Sequence, residues 1–125
     1  MAQAIRTNHY TPFETGMRPW GYWTVLDSGA GFCVKKIKVK PGQRLSLQYH
    51  HHRSEHWLVI EGIAKVEING QTSVLEARHH VEIPLLARHR LSNIGLTDLV
   101  ILELQQGDIL DESDIVRLAD DYARN

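Results

Sequence analysis

Short runs rich in β-branched and aromatic residues, cut apart by Gly, Pro and an Asn-Gly pair, leave this chain little room for anything except strands. The runs are Trp20 to Leu26, Phe32 to Val39, Leu45 to His50, Glu55 to Ile60, Ala64 to Ile68, Thr72 to Leu75, Val81 to Ile83, His89 to Asn93 and Leu99 to Leu104. Between them stand Ser28-Gly-Ala-Gly31, Pro41-Gly42 and Asn69-Gly70, the last a strong two-residue hairpin turn. This punctuation predicts an all-β barrel. Only the end departs from it. In Asp111 to Tyr122, Ile115, Leu118 and Tyr122 recur at helical steps, with Asp111 or Ser113 placed to cap a first turn, so a short C-terminal helix is expected. Residues 1–17 alternate poorly and carry Pro12 and Gly16, which predicts an arm ahead of one domain over 18–125.

A chain of 125 residues suffices for one domain that buries a little under ~70% of its unfolded surface. A formal net charge of −1 argues against nucleic acid or an anionic membrane as the main partner. Cys33 is the single cysteine, Met1 to Tyr10 lacks the apolar run of a signal peptide, and no stretch approaches the ~20 apolar residues of a spanning helix. A reducing cytoplasm is the expected setting.

The chemistry concentrates in Gln48-Tyr-His-His-His-Arg-Ser-Glu-His-Trp57. Alternate residues of a strand share a face, so Gln48 and His50 point the same way, and across a short turn Glu55, Trp57 and Val59 form the matching face of the next strand. The two strands are expected to pair as a hairpin. An amide oxygen, an imidazole and a carboxylate around one point suit a divalent ion, whether Zn, Mn, Fe, Co or Ni. His89, where the proline-bounded turn after Ile83 feeds a strand, is the candidate fourth ligand. His51 points away on parity. The bland alternative for His50-His51-His52 is a solvated turn that happens to be His-rich.

Gly42, Gln48-x-His50, Glu55 and Gly62 resemble the first cupin motif, with Gln in place of the usual first His, and Pro84 to Asn93 with His89 between resembles the second. Arg18-Pro-Trp-Gly21, Leu45-Ser-Leu-Gln48, His52-Arg-Ser-Glu-His-Trp57, His89-Arg-Leu91 and Asp114-Ile-Val-Arg117 resemble, more closely, the type II mannose-6-phosphate isomerase domain. That domain is usually the carboxy-terminal part of bifunctional mannose-1-phosphate guanylyltransferase/mannose-6-phosphate isomerases. The resemblance implies a cupin double-stranded β-helix, a metal-dependent interconversion of mannose 6-phosphate and fructose 6-phosphate, and no guanylyltransfer, since no second domain is expected to fit. The chain departs from the family at Ile83-Pro-Leu-Leu86, where Ile-Pro-x-Gly is common, which removes a residue tolerant of positive φ.

In the resembled family the His-Arg-x-Glu-His-Trp motif carries the activity, which implies that Arg53 holds the sugar phosphate or steadies the enediolate. On the residues alone, Arg53 and His52 read equally as hairpin-tip side chains. The proton carrier is expected among Glu55, His52 and Glu103. Glu103 near the end of an apolar strand is either an exposed charge or a buried base. Arg18 and Arg90 are further phosphate candidates, although Arg90 faces away from His89 by parity. Lys35, Lys36, Lys38 and Lys40 read as a solvated basic edge. Leu45, Leu47 and Tyr49, opposite the ligands, predict a homodimer. Two rival readings are a non-catalytic sugar-binding cupin and an iron-dependent oxygenase.

Overall fold

A computed structural model of the protein describes residues 7–122. The outer ends of the expected arm and domain, residues 1–6 and 123–125, lie outside the described residues. In chain order the strands are β1 (Thr7–Asn8), β2 (Thr15–Arg18), β3 (Gly21–Gly29), β4 (Phe32–Val39), β5 (Leu47–Tyr49), β6 (Arg53–Glu61), β7 (Ala64–Ile68), β8 (Gln71–Leu75), β9 (His80–Ile83), β10 (His89–Asn93), β11 (Leu99–Gly107), β12 (Ile109–Leu110) and β13 (Val116–Ala119). Six of them form one sheet in the order β2-β3-β4-β11-β6-β9, and five form a second in the order β13-β5-β10-β7-β8. This is the all-β architecture that the turn spacing predicts.

The two sheets turn their inner faces toward one another, and the alternation along each strand decides what lies between them. On β4 the buried residues are Cys33, Lys35, Ile37 and Val39, and on β11 they are Leu99, Ile101, Glu103 and Gln105. Register sets Ile37 beside Ile101 and Ile101 beside Val59, then Lys35 beside Glu103 and Glu103 beside Trp57, then Gln105 beside Glu55. The interior therefore grades from an apolar end, built on Val39, Val59, Val66, Leu91, Leu99 and Ile101, to a polar end. At the apolar end Asn93 closes the barrel, its Nδ2 donating to Val39 O and Thr97 O at 2.9 Å each. Truncating a fully buried residue there, such as Ile101, costs ~2–5 kcal/mol, so the apolar half carries the fold and leaves the polar half available for chemistry.

Three local expectations give way. β5 and β6 do not pair. β5 lies between β10 and β13, β6 between β11 and β9, and residues 50–52 carry the chain from one sheet to the other. The Asp114 carboxylate holds that corner by accepting from the backbone N–H of His51 at 3.0 Å and of His52 at 2.9 Å. Both strands still point their alternate residues inward, so the parity that groups Gln48, His50 and Glu55 survives without a hairpin.

The expected helix over Asp111 to Tyr122 is absent, and no helix forms among the described residues. Val116 and Arg117 instead pair with Tyr49 and Gln48 along the edge of β5. An open edge supplies hydrogen bonds that a short, isolated helix cannot match, and Asp114 is already used as the corner cap. The first segment is no detached arm either: β2 extends the larger sheet, Thr7–Asn8 pairs in parallel with Ile109–Leu110, and Tyr10 is buried. Aromatic packing of Tyr10 edge-on to Trp23, at 5.8 Å between ring centroids, overrides the poor local alternation.

Candidate metal centre and pocket

The polar end of the interior opens as a cleft whose lining includes Gln48, Glu55, His89, Glu103 and Gln105 together with Arg18, Lys35, Glu112 and Arg117. One ligand atom from each of His50, Glu55 and His89 lies within 4.8 Å of the other two, and all three residues are buried. His50 Nε2 is 3.0 Å from Glu55 Oε2 and His89 Nε2 is 3.8 Å from Oε1. Donor atoms sharing an ion at ~2.1 Å stand roughly 3–3.5 Å apart, so this spacing suits a divalent cation.

The remaining ring nitrogens fix the tautomers. His50 Nδ1 lies 2.7 Å from Asp114 O, and His89 Nδ1 lies 2.8 Å from Ala87 O. A carbonyl oxygen only accepts, so each Nδ1 carries a proton and each Nε2, the nitrogen that faces the carboxylate, is the atom placed to ligate a metal. Burial holds His89 below its ordinary pKa, in the form that ligates. Burial alone would push Glu55 up, but His50 and Arg53 beside it outweigh that and hold it well below the usual carboxylate range. Gln48 stands opposite His89 in register, and its Nε2 donates to Ser46 Oγ at 3.0 Å, which leaves the amide oxygen as the available ligand atom. The His50, Glu55 and His89 donor atoms thus fit a metal, and Gln48, which lines the same cleft, is the candidate fourth ligand.

Arg53 is not a hairpin tip. It is 4% exposed at the start of β6, its Nε donates to Glu55 Oε2 at 2.9 Å, and its Nη1 donates to Asp111 O at 3.2 Å. Burial would draw its pKa down, yet Glu55 and the neighbouring acidic groups keep it above the ordinary value. Trp57 Nε1 donates to Glu55 Oε1 at 3.0 Å, so both carboxylate oxygens are oriented before any ion arrives.

Of the other sequence candidates, Glu103 is buried in the pocket and accepts from Gln105 Nε2 at 3.1 Å. Burial first, and then the Glu55 charge, push its carboxyl up to about 8. His52 instead turns outward, its Nδ1 3.3 Å from Asp108 Oδ1. Arg90 also lies apart: its Nε donates to Leu45 O at 3.0 Å and Nη2 to Ala119 O at 2.9 Å, bracing the strand edges. Arg18 does line the pocket. Lys35, read as part of a solvated edge, is 3% exposed and faces inward. Its parity with Cys33, Ile37 and Val39 is the signal that identifies it. Glu112 and Tyr10 carry no such signal, because both lie outside periodic strands.

Leu86, where the resembled pattern has Gly, adopts φ 66. Its N–H donates to His50 O at 3.3 Å, so the loop keeps its left-handed turn beside the ligand strand despite the Cβ.

Known proteins resemble this chain at two levels. For the fold, the cupin domain of Schizosaccharomyces pombe Cnp3 superposes with a TM-score of 0.67 at 15% identity over 70% of this chain and 64% of that one. An oxalate decarboxylase from Lactobacillus farciminis reaches 0.74 at 22% identity over 85% of this chain and 33% of its own. For the sequence, the alginate biosynthesis protein AlgA of Pseudomonas aeruginosa is 50% identical over 107 residues, 86% of this chain and 22% of that protein. The mannose-1-phosphate guanylyltransferase ManC of Salmonella typhimurium is 47% identical with the same coverage of 86% and 22%. The chain spans about a fifth of the length of these curated relatives. Since the matching family model runs across residues 5–120, and so across every strand that carries a ligand, the chain belongs to the family of mannose-6-phosphate isomerase C-terminal domains.

Proposed function

We propose that this pocket interconverts mannose 6-phosphate and fructose 6-phosphate with the help of one divalent ion. The observation that supports this best is the convergence of His50 Nε2 and His89 Nε2 on the Glu55 carboxylate, in the same buried cleft as a carboxyl whose pKa lies near neutrality. The reaction moves a proton between C2 and C1 of the open-chain sugar through an enediol. A metal held by Gln48, His50, Glu55 and His89 would polarise the sugar oxygens.

The chain's own residues divide the rest. Glu103 is the proton carrier, because a carboxyl with a pKa of about 8 both takes and returns a proton near pH 7, whereas Glu55 is held low and fully engaged and His52 faces away. Gln105 Nε2 holds Glu103 in place. Arg53, with Nη2 3.5 Å from His50 Nε2, stands where negative charge develops on the enediolate oxygens. Trp20, Trp57 and Leu91 line the cleft and keep water from the reacting carbons.

Two relatives are named for alginate and xanthan biosynthesis, so the product would serve polysaccharide assembly. The setting we propose is the cytoplasm. Burial pushes the Cys33 thiol up to about 11, which leaves it a packing residue with no redox role.

Metal analysis followed by a coupled assay with mannose 6-phosphate tests the reading. About one divalent ion per chain and measurable turnover are expected, and His50→Ala with His89→Ala should lose both while the fold persists. Full metal content in that double variant would show the wrong ligands. Metal-loaded wild type without turnover would move the reading to a non-catalytic sugar-phosphate-binding cupin, and metal-dependent oxygen uptake would move it to an oxygenase.

A further inference from the structure

Lys35, on the wall across β11 from Glu55, has no part in the isomerisation described above, although its side chain is only 3% exposed. Its Nζ lies 4.0 Å from the ring centroid of Tyr10 and 3.9 Å from that of Trp23, and donates to Glu112 Oε2 at 3.1 Å. Arg18 rests against Trp23, 5.5 Å from its ring centroid, and donates through Nη2 to Glu112 Oε1 at 3.0 Å. The Tyr10 hydroxyl donates to the same carboxylate. Three donors from three separate segments therefore converge on one anion.

Two features set this cluster apart from a structural ion pair. The donors belong to the barrel, through β2, β4 and the Tyr10 and Trp23 rings, whereas Glu112 belongs to a stretch between β12 and β13 that is in no strand, and its side chain is 29% exposed. Beside them, the fully buried Gln105 Oε1 has no hydrogen-bond partner among the described residues. Gln105 pairs in register with Glu55 on one side and Cys33 on the other, so it sits between the metal ligands and the strand of Lys35. A buried acceptor left without a donor, worth ~1–3 kcal/mol, is what a ligand hydroxyl would satisfy.

The geometry points to Lys35 and Arg18, joined by the Tyr10 hydroxyl, as the subsite for the phosphate of the sugar, with Glu112 as the in-chain carboxylate that fills it until the ligand arrives. This rests on the reading of the ligand as a phosphorylated sugar. A phosphate dianion presents three oxygens to three donors, where Glu112 presents two. A desolvated ammonium requires an anion in either state, and the displaced Glu112 recovers hydration at the surface. Gln105 Oε1 then accepts from a sugar hydroxyl between the phosphate and the metal ligands.

Titration calorimetry on divalent-loaded protein, with mannose 6-phosphate, mannose and inorganic phosphate as probes, tests this. Wild type should prefer mannose 6-phosphate to mannose, with inorganic phosphate competing. Glu112→Gln, which removes the internal competitor, should tighten mannose 6-phosphate and inorganic phosphate by roughly 10-fold. Lys35→Met should weaken mannose 6-phosphate by roughly 10- to 100-fold and leave mannose unchanged. Because Lys35→Met alone leaves the Glu112 charge opposing the phosphate at Arg18, the double variant Lys35→Met with Glu112→Gln removes both charges together and should prefer mannose 6-phosphate to mannose by clearly less than wild type does. Wild-type preference for the phosphorylated sugar in that folded double variant overturns the subsite, as does weaker phosphate binding by Glu112→Gln. Phosphate discrimination without turnover leaves the subsite standing and removes the isomerase reading. Turnover with an unchanged KM in the double variant does the reverse.

Discussion

Arg53 holds Glu55 with one nitrogen and Asp111 O with another while almost wholly excluded from water. Lysine offers a single point of charge and cannot keep both contacts. Arg53→Lys is therefore expected to lower isomerase activity by about two orders of magnitude. It should also cost ~1–3 kcal/mol of stability, a fall in Tm of several degrees by scanning calorimetry. An unchanged Tm would contradict the buried role. Glu112 carries the pH prediction. Burial would raise its carboxyl, but Lys35 and the Tyr10 hydroxyl bring it down to about 2. A depressed folded pKa adds stability above the unfolded value near 4.5 and loses it as pH falls from there through 2. Denaturant midpoints should drop over that window by an amount worth roughly 2–3 kcal/mol in wild type, and by clearly less in Glu112→Gln.

Among the elements, the corner at residues 50–52 matters most, because it sends two ligand-bearing strands into different sheets and still aims them at one point. It depends on a close approach by the end of β11. A Cβ on Gly107 would lie 1.9 Å from His52 O and 2.9 Å from Arg53 Cα, both backbone atoms that cannot step aside. Gly107→Ala is expected to destabilise by ~3 kcal/mol or more and to lower metal content by displacing β6. Urea unfolding with metal analysis reads both, and a wild-type midpoint would mean that the corner tolerates separation. The element that replaces the expected helix follows the same logic. β13 borrows the free edge of β5, and the preceding turn places the Asp114 carbonyl against His50 Nδ1, so the chain end orients a ligand.

For the molecule as a whole, association is expected through the outer face of the larger sheet. Leu26, Leu58 and Ile60 are exposed there at 41%, 36% and 48%. On the smaller sheet Tyr49 is already half covered, with Arg88 5.7 Å from its ring centroid. A homodimer that covers the larger sheet takes these three side chains out of water, and burial stabilises by ~25 cal/mol per Å2. Sedimentation equilibrium at micromolar protein should show a species near twice the monomer mass. A single ~14 kDa species would refute the dimer.

The strand sequence and the inward set Gln48, His50, Glu55 and His89 were legible from the chain alone, because period-2 alternation is a local property that holds whichever strand lies alongside. The same rule turns Lys35 inward, but its charge favours solvent in the sequence, and only the fold supplies the Glu112 carboxylate and two aromatic rings that surround it. The rest depended on tertiary structure. Whether β5 pairs with β6 or with β10, whether residues 116–119 coil or pair with an open edge, and whether Arg53 is wet or buried are decided by partners far away in sequence. Asp114, Glu112 and Tyr10 act on β4, β5 and β6 across long spans of chain, and no local pattern encodes which distant backbone or charge will be waiting.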